Sequence, residues 1–348
     1  MKKKNVINLI RFYAEHNDSG FRNEAHEIAR EFEQKGDYQL AEYIMALMSN
    51  ANTFIPQMSE DDNAMFERVR TDSDTLYLPE PIARDLLGIL HAVNHHAGVN
   101  KFLLQGKPGT GKTEAVKQLA RTMNREIFMV DFAAIIDSKM GQTTKNISRL
   151  FKEMNSFVHP EQVIVLFDEI DAVALDRTNS NDLREMGRAT SAMLKGMDHI
   201  NDRIVLVATT NLYEHFDKAL TRRFDAIINF NRYGRDDLIM VAEKLLENYL
   251  IKFKLANKDI RLFRKIMNQI ADMPYPGDLK NMIKSAVAFS DPQDGVDYFR
   301  RLYYAAFGEM PQDIVSLKER GFTIREISVL TKKSKSSIDR ELKGIADE

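Results

Sequence analysis

The stretch Gly106-Lys-Pro-Gly-Thr-Gly-Lys-Thr113 decides the fold of this chain, because it stands between an apolar run and a segment of helical character. Phe102-Leu-Leu104 precedes it and Glu114-Ala-Val-Lys-Gln-Leu-Ala120 follows it, in the order strand, glycine-rich loop, helix. The glycines of such a loop let backbone N–H groups curl round a polyphosphate at the helix N-terminus. The stretch therefore predicts a phosphate-binding loop, or P-loop.

The side chains at the end of the loop have separate predicted tasks. Lys112 is long enough to reach the β- and γ-phosphates of a nucleotide, and the Thr113 hydroxyl is suited to Mg²⁺. The predicted nucleotide-binding residues are Gly106, Pro108, Gly109, Thr110, Gly111, Lys112, Thr113 and Glu114.

A second nucleotide element is predicted at Val163-Ile-Val-Leu-Phe-Asp-Glu-Ile-Asp171, where an apolar run ends in carboxylates. A buried parallel strand ends in this way at its carboxyl edge, and the pattern indicates a Walker B motif. We expect Asp168 to hold Mg²⁺ through water and Glu169 to polarise the attacking water. This pair predicts a hydrolysis site and not merely a binding site.

A third buried strand is predicted at Arg203-Ile-Val-Leu-Val-Ala-Thr-Thr-Asn211, and Asn211 at its end is the candidate for orienting the water. Two arginines follow, Arg222 and Arg223. They fit either solvated surface charges or an arginine finger that one subunit supplies to the γ-phosphate held by its neighbour.

In this order the motifs resemble those of the AAA+ ATPases, and within them the branch that includes katanin, spastin and the membrane-bound AAA proteases. The resemblance covers about residues 76–290. It implies ATP and Mg²⁺ as cofactors and a homo-oligomeric, hexameric ring with ATP at the subunit interfaces. It also implies that Asn211 is the sensor 1 residue and that Arg222 and Arg223 act in trans. Tyr275-Pro-Gly-Asp-Leu-Lys280 corresponds to the sensor 2 region of a helical lid.

Two positions depart from the pattern of these relatives. Many of them carry an Arg where this chain has Lys280, which keeps the charge without the fork geometry. Protein-unfolding members place an aromatic residue before the Gly of the first pore loop, where this chain has Lys139 and Met140. Met still suits apolar side chains, and Lys suits phosphate or acidic peptide. These residues leave open whether a polypeptide is threaded.

The composition excludes several other classes of protein. The 49 Lys and Arg against 51 Asp and Glu leave a net charge of −2, so the chain as a whole is not drawn to nucleic acid or anionic lipid. It has no Cys, which favours a reducing compartment, and a cytoplasmic protein is expected. No apolar run approaches the roughly 20 residues of a membrane span, so no membrane contact is expected. His91 and His95 share a predicted helix face without a third ligand, which favours surface histidines over a metal site.

The first 55 residues predict a small domain of about three helices, followed by a linker over residues 56–75. Helical spacing is shown by Val6, Ile7, Leu9, Ile10 and Tyr13, and the aromatic and Met positions of the domain are expected to belong to its core, with a partner-docking face as the alternative. This block resembles the leader of bacterial AAA+ ATPases that act beside a subtilisin-like protease in phage defence. The resemblance rests on Phe21, Ala25, Ile28, Ala29, Gly36, Leu40 and Ala41.

The C-terminal sequence predicts three short helices. The first spans residues 314–320 and ends at Gly321, and a capping box of Thr323 and Glu326 opens the second. The third ends near Leu342, and the arrangement resembles a helix-turn-helix. The candidate DNA contacts are Lys332, Lys333, Lys335, Ser337, Arg340 and Lys343. A three-helix cap with solvated charges is the alternative.

The sequence thus predicts an α/β protein: a P-loop NTPase αβα sandwich with a parallel sheet, a helical lid, and small all-α domains at both ends. The predicted boundaries are 76–232 for the large subdomain, 233–292 for the lid, and 293–348 for the C-terminal domain with its helix-turn-helix-like segment at 313–344. The predicted activity is ATP hydrolysis by a ring-forming motor that remodels or controls a protein partner. Two alternatives stay open: a DNA-associated ATPase, and a nucleotide-gated scaffold that activates a neighbouring protease or nuclease in phage defence.

Overall fold

A computed structural model of the chain describes residues 3–15, 18–48, 65–71, 76–95, 98–136, 142–171, 183–255 and 258–346. The chain divides into two compact units, Met1–Asp62 and Asn63–Glu348. Within the described ranges, no helix is both long enough and apolar enough to cross a membrane.

The first unit contains three helices, α1 (Lys3–Ala14), α2 (Asp18–Gln34) and α3 (Tyr38–Met48). The small and branched side chains of α2 pack inward, since Ile28 is 4% exposed and Ala29 is 2% exposed. Their spacing of three and four residues from Ala25 is that of one helix face, as the sequence predicts.

The prediction that the aromatic positions of this domain belong to its core is wrong for Tyr13 of α1. Ile7 and Ile10 are each 64% exposed and Tyr13 is 77% exposed, whereas Asn5 is buried. Asn8 donates a side-chain hydrogen bond to Glu24 of α2 at 3.1 Å. Helical spacing marks an apolar stripe, but packing against the neighbouring helix decides which face of α1 is covered.

The second unit is built on a six-stranded sheet in the order β1-β3-β4-β5-β2-β6. Its strands are β1 (Phe66–Val69), β2 (Lys101–Gln105), β3 (Glu126–Val130), β4 (Val163–Phe167), β5 (Val205–Thr210) and β6 (Ala226–Asn229). Neighbours pair in parallel except β1, which is antiparallel to β3. The predicted α/β fold with a mostly parallel sheet is confirmed.

Helices cover both faces of this sheet. The described helices of the second unit are α4 (Glu80–Asn94), α5 (Lys112–Met123), α6 (Phe132–Ile135), α7 (Gln142–Asn155), α8 (Leu183–Asp198), α9 (Lys218–Thr221), α10 (Arg235–Lys252), α11 (Ile260–Asn268), α12 (Pro276–Ala288), α13 (Asp297–Phe307), α14 (Ile314–Glu319), α15 (Ile324–Thr331) and α16 (Lys335–Ala346). On one face, Leu166 of β4 shares a core with residues of α4 and α5. On the other, the Phe167 ring contacts Phe132 and Phe151. All residues of β4 are buried for this reason.

Strand β1 lies in the segment that the sequence predicts to be a linker. Phe66 pairs with Val130 and Val69 with Ile127, and the Phe66 ring contacts Phe128 with centroids 6.4 Å apart. A four-residue edge strand has no long apolar run to mark it, because only one of its faces is buried. The sheet therefore extends into this predicted linker.

The lid helices α10–α12 and the C-terminal helices α13–α16 share one hydrophobic core. It includes the fully buried Leu246, Phe263, Ile283, Phe299 and Ile338. The predicted boundary between residues 292 and 293 thus does not separate two cores. The aromatic side chains of α13 fill the space between the two sets of helices, which sequence periodicity alone does not reveal.

Candidate nucleotide-binding and hydrolysis site

The P-loop joins β2 to α5 at the carboxyl edge of the parallel strands. Gly109 and Gly111 have φ angles of +76° and +95°, left-handed values that favour glycine. Gly111 is the N-cap of α5, so the helix begins directly from the loop. Pro108, Gly109 and residues 111–114 line a cavity of about 430 Å³.

Gly106 and Thr110 do not line this cavity, although the sequence predicts both to bind the nucleotide. The Gly106 carbonyl accepts a hydrogen bond from Lys112 Nζ at 2.6 Å, and the Thr110 hydroxyl donates to the Lys107 carbonyl at 2.8 Å. A Cβ at Gly106 would lie 2.9 Å from Cβ of Phe230. The Gly106 carbonyl and the Thr110 side chain therefore bond to other atoms of the loop and stabilise its conformation.

The Lys112 ammonium lies at the base of the cavity and is 6% exposed. It donates to the carbonyls of Gly106 and Lys107 at 2.6 and 3.1 Å and to Asn211 Oδ1 at 2.7 Å. Burial lowers the pKa of Lys112, and the nearby carboxylates oppose that shift. The charge is thus surrounded by oxygen atoms, an arrangement that suits phosphate oxygens as well.

Thr113 and Asp168 meet inside the cavity, where the Thr113 hydroxyl donates to Asp168 Oδ1 at 3.0 Å. The Thr209 hydroxyl donates to the same oxygen at 2.6 Å and accepts the backbone N–H of Glu169 at 2.8 Å. Hydroxyl and carboxylate oxygens are hard ligands that fit Mg²⁺, which keeps several waters and needs few carboxylates. Among the described residues, no three or more His, Cys, Asp or Glu side chains are grouped so that they could hold a metal ion by themselves.

The Glu169 carboxylate accepts its hydrogen bond from a different residue than the Asp168 carboxylate does. Its Oε1 accepts from Asn211 Nδ2 at 3.0 Å, and its φ of +49° turns the chain directly after β4. Asp171 accepts the backbone N–H of Asn211 at 2.9 Å and also the Thr210 hydroxyl. Asn211 is therefore held by its main chain while its side chain contacts the carboxylate.

The far part of the cavity is apolar and suits a flat heteroaromatic base. It is lined by Leu76, Tyr77, Val241, Leu245 and Pro276. Lys280 of α12 lines the same cavity, so the predicted lid cation and the P-loop face one space.

Arg222 and Arg223 lie at the end of α9 and differ in their surroundings. The Arg223 Nε donates to Asp198 at 2.7 Å. Arg222 is exposed, and its guanidinium has no ion pair or hydrogen bond with any residue that the structure describes. Of the two predicted fingers, Arg223 is thus paired, and Arg222 has no side-chain partner among the described residues.

The candidate DNA-binding residues form a less basic surface than the sequence suggests. Three of the lysines pair with carboxylates, Lys332 with Asp294 at 3.4 Å, Lys333 with Glu341 at 3.0 Å and Lys343 with Asp339 at 2.9 Å. Lys335, Ser337 and Arg340 are exposed. Acidic residues from α16 and from the segment before α13 cancel much of the charge.

The predicted capping box is present at the start of α15. The Thr323 backbone N–H donates to Glu326 Oε2 at 2.7 Å, and the Glu326 N–H donates to the Thr323 hydroxyl at 3.3 Å. This reciprocal pair satisfies two free N–H groups of the helix end. The local turn chemistry was therefore predictable from the sequence.

Two other predictions concern residues outside the cavity. Lys139 and Met140 lie outside the described residues. His95 Nδ1 lies 2.8 Å from the His91 carbonyl, and the two rings stack with centroids 6.0 Å apart. Both histidines are exposed, in agreement with the predicted place on a helix surface.

The residues of the site that were not identified from the sequence include Thr209, Asp171 and Tyr233. The signal for the first two is a polar side chain within or beside a buried strand, where a partner is required. Tyr233 donates its hydroxyl to the Thr110 carbonyl at 2.8 Å across 123 positions, and no local pattern marks it.

Parallel strands that end in a phosphate loop, an Asp–Glu pair and an Asn form the architecture of the P-loop NTPases. Residues 102–232 match the family model described as "ATPase family associated with various cellular activities (AAA)". The chain therefore carries an AAA family ATPase domain.

Several curated proteins are similar to this domain. The AAA family ATPase y4kL of Sinorhizobium fredii is 33% identical over 38% of this chain and 39% of that protein. A 26S proteasome regulatory subunit homolog of Methanothermobacter marburgensis is 32% identical over 42% of this chain and 39% of that protein. Proteasome-activating nucleotidase 1 of Haloferax volcanii is 25% identical over 73% of this chain and 60% of that protein. The chain thus matches about two fifths of the length of the first two relatives.

Among solved structures, a chain in the E. coli MS115-1 HORMA:CdnC:Trip13 complex has a TM-score of 0.51 to this one. The likeness covers 69% of this chain and 95% of that chain at 18% sequence identity. At that identity it is a likeness of fold.

Proposed function

We propose that this chain hydrolyses ATP in the cavity at the P-loop and uses the cycle to remodel or control a protein partner. Lys112 and the loop N–H groups bind the phosphates. Mg²⁺ held by Thr113 and Asp168 supplies charge neutralisation at the phosphoryl oxygens. Asn211 orients the attacking water, and Glu169 accepts its proton.

The surroundings of Glu169 carry this proposal. Its carboxylate accepts one hydrogen bond among the described residues, from the Asn211 amide at 3.0 Å. Asp168 instead accepts hydrogen bonds from two hydroxyls, those of Thr113 and Thr209. Two adjacent carboxylates with different environments suit different tasks, one as a metal ligand and the other as a base.

Replacement of Glu169 by Gln tests hydrolysis directly. Gln keeps an oxygen that accepts from Asn211 but takes no proton, so we expect kcat to fall by roughly 10²–10⁴ while ATP affinity stays within about twofold. The matched control is Glu319→Gln, an exposed position at the end of α14. Unchanged turnover in Glu169→Gln would remove the assigned reaction.

We infer that the active form is a homo-oligomeric ring in which Arg222 reaches the cavity of a neighbouring subunit. Among the described residues that line the cavity, the cations are lysines and none is an arginine. An arginine supplied in trans accelerates related NTPases by roughly 10³–10⁵. The ATPase rate per subunit should therefore rise with protein concentration.

The names of the relatives support a protein partner, since they include a proteasome-activating nucleotidase and a proteasome regulatory subunit homolog. We expect an unfolded polypeptide to stimulate the ATPase and duplex DNA to leave it unchanged. Stimulation by DNA alone would reverse this assignment.

A DNA-associated ATPase is the second candidate. The observation that favours it is the short turn between α15 and α16, a spacing found in helix-turn-helix units. Helices α14–α16 share the lid core, so exposed substitutions are better tests than truncation. Salt-dependent DNA binding that disappears in Lys335→Ala/Arg340→Ala would support this function.

A further inference from the structure

Two carbonyls of the P-loop accept hydrogen bonds from residues that come after the last strand, β6, in the sequence. The Gly109 carbonyl accepts the backbone N–H of Gly277 at 2.8 Å, and the Thr110 carbonyl accepts the Tyr233 hydroxyl at 2.8 Å. Gly277 lies in the first turn of α12, and Tyr233 lies between β6 and α10. The loop is thus held from the side of the lid.

Because peptide bonds are planar, these two contacts also determine which way the neighbouring N–H groups of the loop point. The chain has no cis peptide in its described part, and in a trans peptide the C=O and the next N–H point in opposite directions. The N–H groups of Thr110 and Gly111 therefore point away from Gly277 and Tyr233. Neither donates to any residue that the structure describes. Adjacent free N–H groups form an anion-binding concavity.

We propose that Tyr233 and Gly277 are positioning residues for the polyphosphate, because they hold two P-loop peptides with their N–H groups turned toward the phosphate site. This inference rests on the proposed ATP-binding function and names residues that act through the loop rather than on the reacting atoms.

The packing around both residues supports this role. A Cβ at Gly277 would lie 2.9 Å from the Gly109 Cα and 3.2 Å from its carbonyl oxygen, so α12 approaches the loop at a distance that only glycine permits. The Tyr233 ring packs against both the sheet core and the lid core. Burial raises the pKa of Tyr233, so its hydroxyl remains a donor through the neutral and mildly alkaline range.

A consequence is that phosphate affinity depends on the position of the lid. If the lid moves away from the loop, the carbonyls of Gly109 and Thr110 lose their donors and the two peptides are free to rotate. The affinity for phosphate then falls, and the apolar part of the cavity loses Val241, Leu245 and Pro276, which lie on the lid helices.

Tyr233→Phe tests the role because it removes a single oxygen atom, and Tyr304→Phe is the control at a tyrosine that is 51% exposed. Calorimetric titrations with inorganic tripolyphosphate, ADP and adenosine separate phosphate binding from base binding. We expect tripolyphosphate and ADP to bind about threefold to tenfold more weakly to Tyr233→Phe, with adenosine unchanged. KM for ATP should rise by a similar factor with kcat within about twofold.

Gly277→Ala gives a second, independent test, with Gly88→Ala as the control because a Cβ there meets no atom within 4 Å. We expect Gly277→Ala to weaken tripolyphosphate binding at least as much as Tyr233→Phe does. Wild-type affinity in both variants overturns the inference, and so does an equal loss of adenosine binding in Tyr233→Phe, which leaves the backbone of α12 unchanged. If the wild type binds neither tripolyphosphate nor ADP, the proposed function itself fails.

Discussion

The side-chain amide of Asn211 donates a hydrogen bond to the Glu169 carboxylate at 3.0 Å. The oxygen of the same amide accepts from Lys112 Nζ at 2.7 Å. One residue at the end of β5 thus connects the lysine of the P-loop with the carboxylate that follows β4. Because Asp171 holds its backbone N–H at 2.9 Å, the amide has little freedom to turn away.

Loss of this amide should slow hydrolysis more than it weakens binding. In Asn211→Ala the Glu169 carboxylate loses its only described side-chain donor, so we expect kcat to fall roughly tenfold to a hundredfold in single-turnover assays. ADP affinity should change by less than about threefold, since Lys112 retains two carbonyl partners. An equal loss of ADP binding would assign Asn211 to nucleotide binding instead.

The two arginines at the end of α9 should behave differently. Arg222→Ala should abolish the part of the ATPase rate that depends on protein concentration. Arg223→Ala removes an exposed ion pair with Asp198, and such pairs contribute about 0.2–1 kcal/mol, so its main effect should be a small loss of stability.

Mixing two inactive variants tests whether Arg222 acts between subunits. A subunit with Glu169→Gln still supplies its own Arg222 to a neighbour with Arg222→Ala, whose cavity retains Glu169. The mixture should therefore regain ATPase activity that neither variant has alone. A mixture as inactive as its components would place Arg222 outside the reaction.

Gly196 on α8 should tolerate no side chain. A Cβ there would lie 2.0 Å from the Phe151 ring of α7, and overpacking of this kind typically costs about 1–3 kcal/mol. Gly187 on the same helix has no atom within 4 Å of its Cβ position, so Gly187→Ala should raise stability by up to about 1 kcal/mol. Urea unfolding of the two variants measures both effects, and equal shifts would contradict the close packing of α7 and α8.

Asp297 should stabilise the C-terminal core in a pH-dependent way. Burial alone raises its pKa, but hydrogen bonds from the Asp291 N–H, Arg300 and Arg301 outweigh burial and lower the pKa of Asp297 from 3.8 to about 2. The carboxylate therefore contributes stability above about pH 4, which is lost as the pH falls toward about 2. The contribution at neutral pH is about 2 kcal/mol.

Asp297→Asn measures this contribution by urea unfolding between about pH 2 and pH 7. We expect a deficit of about 2 kcal/mol at pH 7 that shrinks as the pH falls below about 4. Asp272→Asn, at an exposed site, serves as the control. A deficit that stays constant down to pH 2 would mean that charge is not its source.

Much of the site could be predicted because its residues follow local rules. A strand, a glycine loop and a helix N-terminus are contiguous in sequence, so Lys112 and Thr113 were identifiable by spacing alone. Asp168, Glu169 and Asn211 each end a buried strand, and parallel strands present these ends at one edge of a sheet. The pairing of Lys332 with Asp294 could not be predicted in this way, since the two residues are far apart in sequence.

The sequence by itself determined the parallel αβα architecture, the phosphate loop and the carboxylates that share its cavity, since these depend on contiguous hydrophobic runs and on the chemistry of a few residues. Only the tertiary structure decided that the Tyr233 hydroxyl binds the P-loop, that α1 exposes its apolar stripe, and that Arg223 is paired while Arg222 has no side-chain partner among the described residues. Each of these depends on which distant surfaces meet, and contact between particular distant segments leaves no periodic signal in the chain.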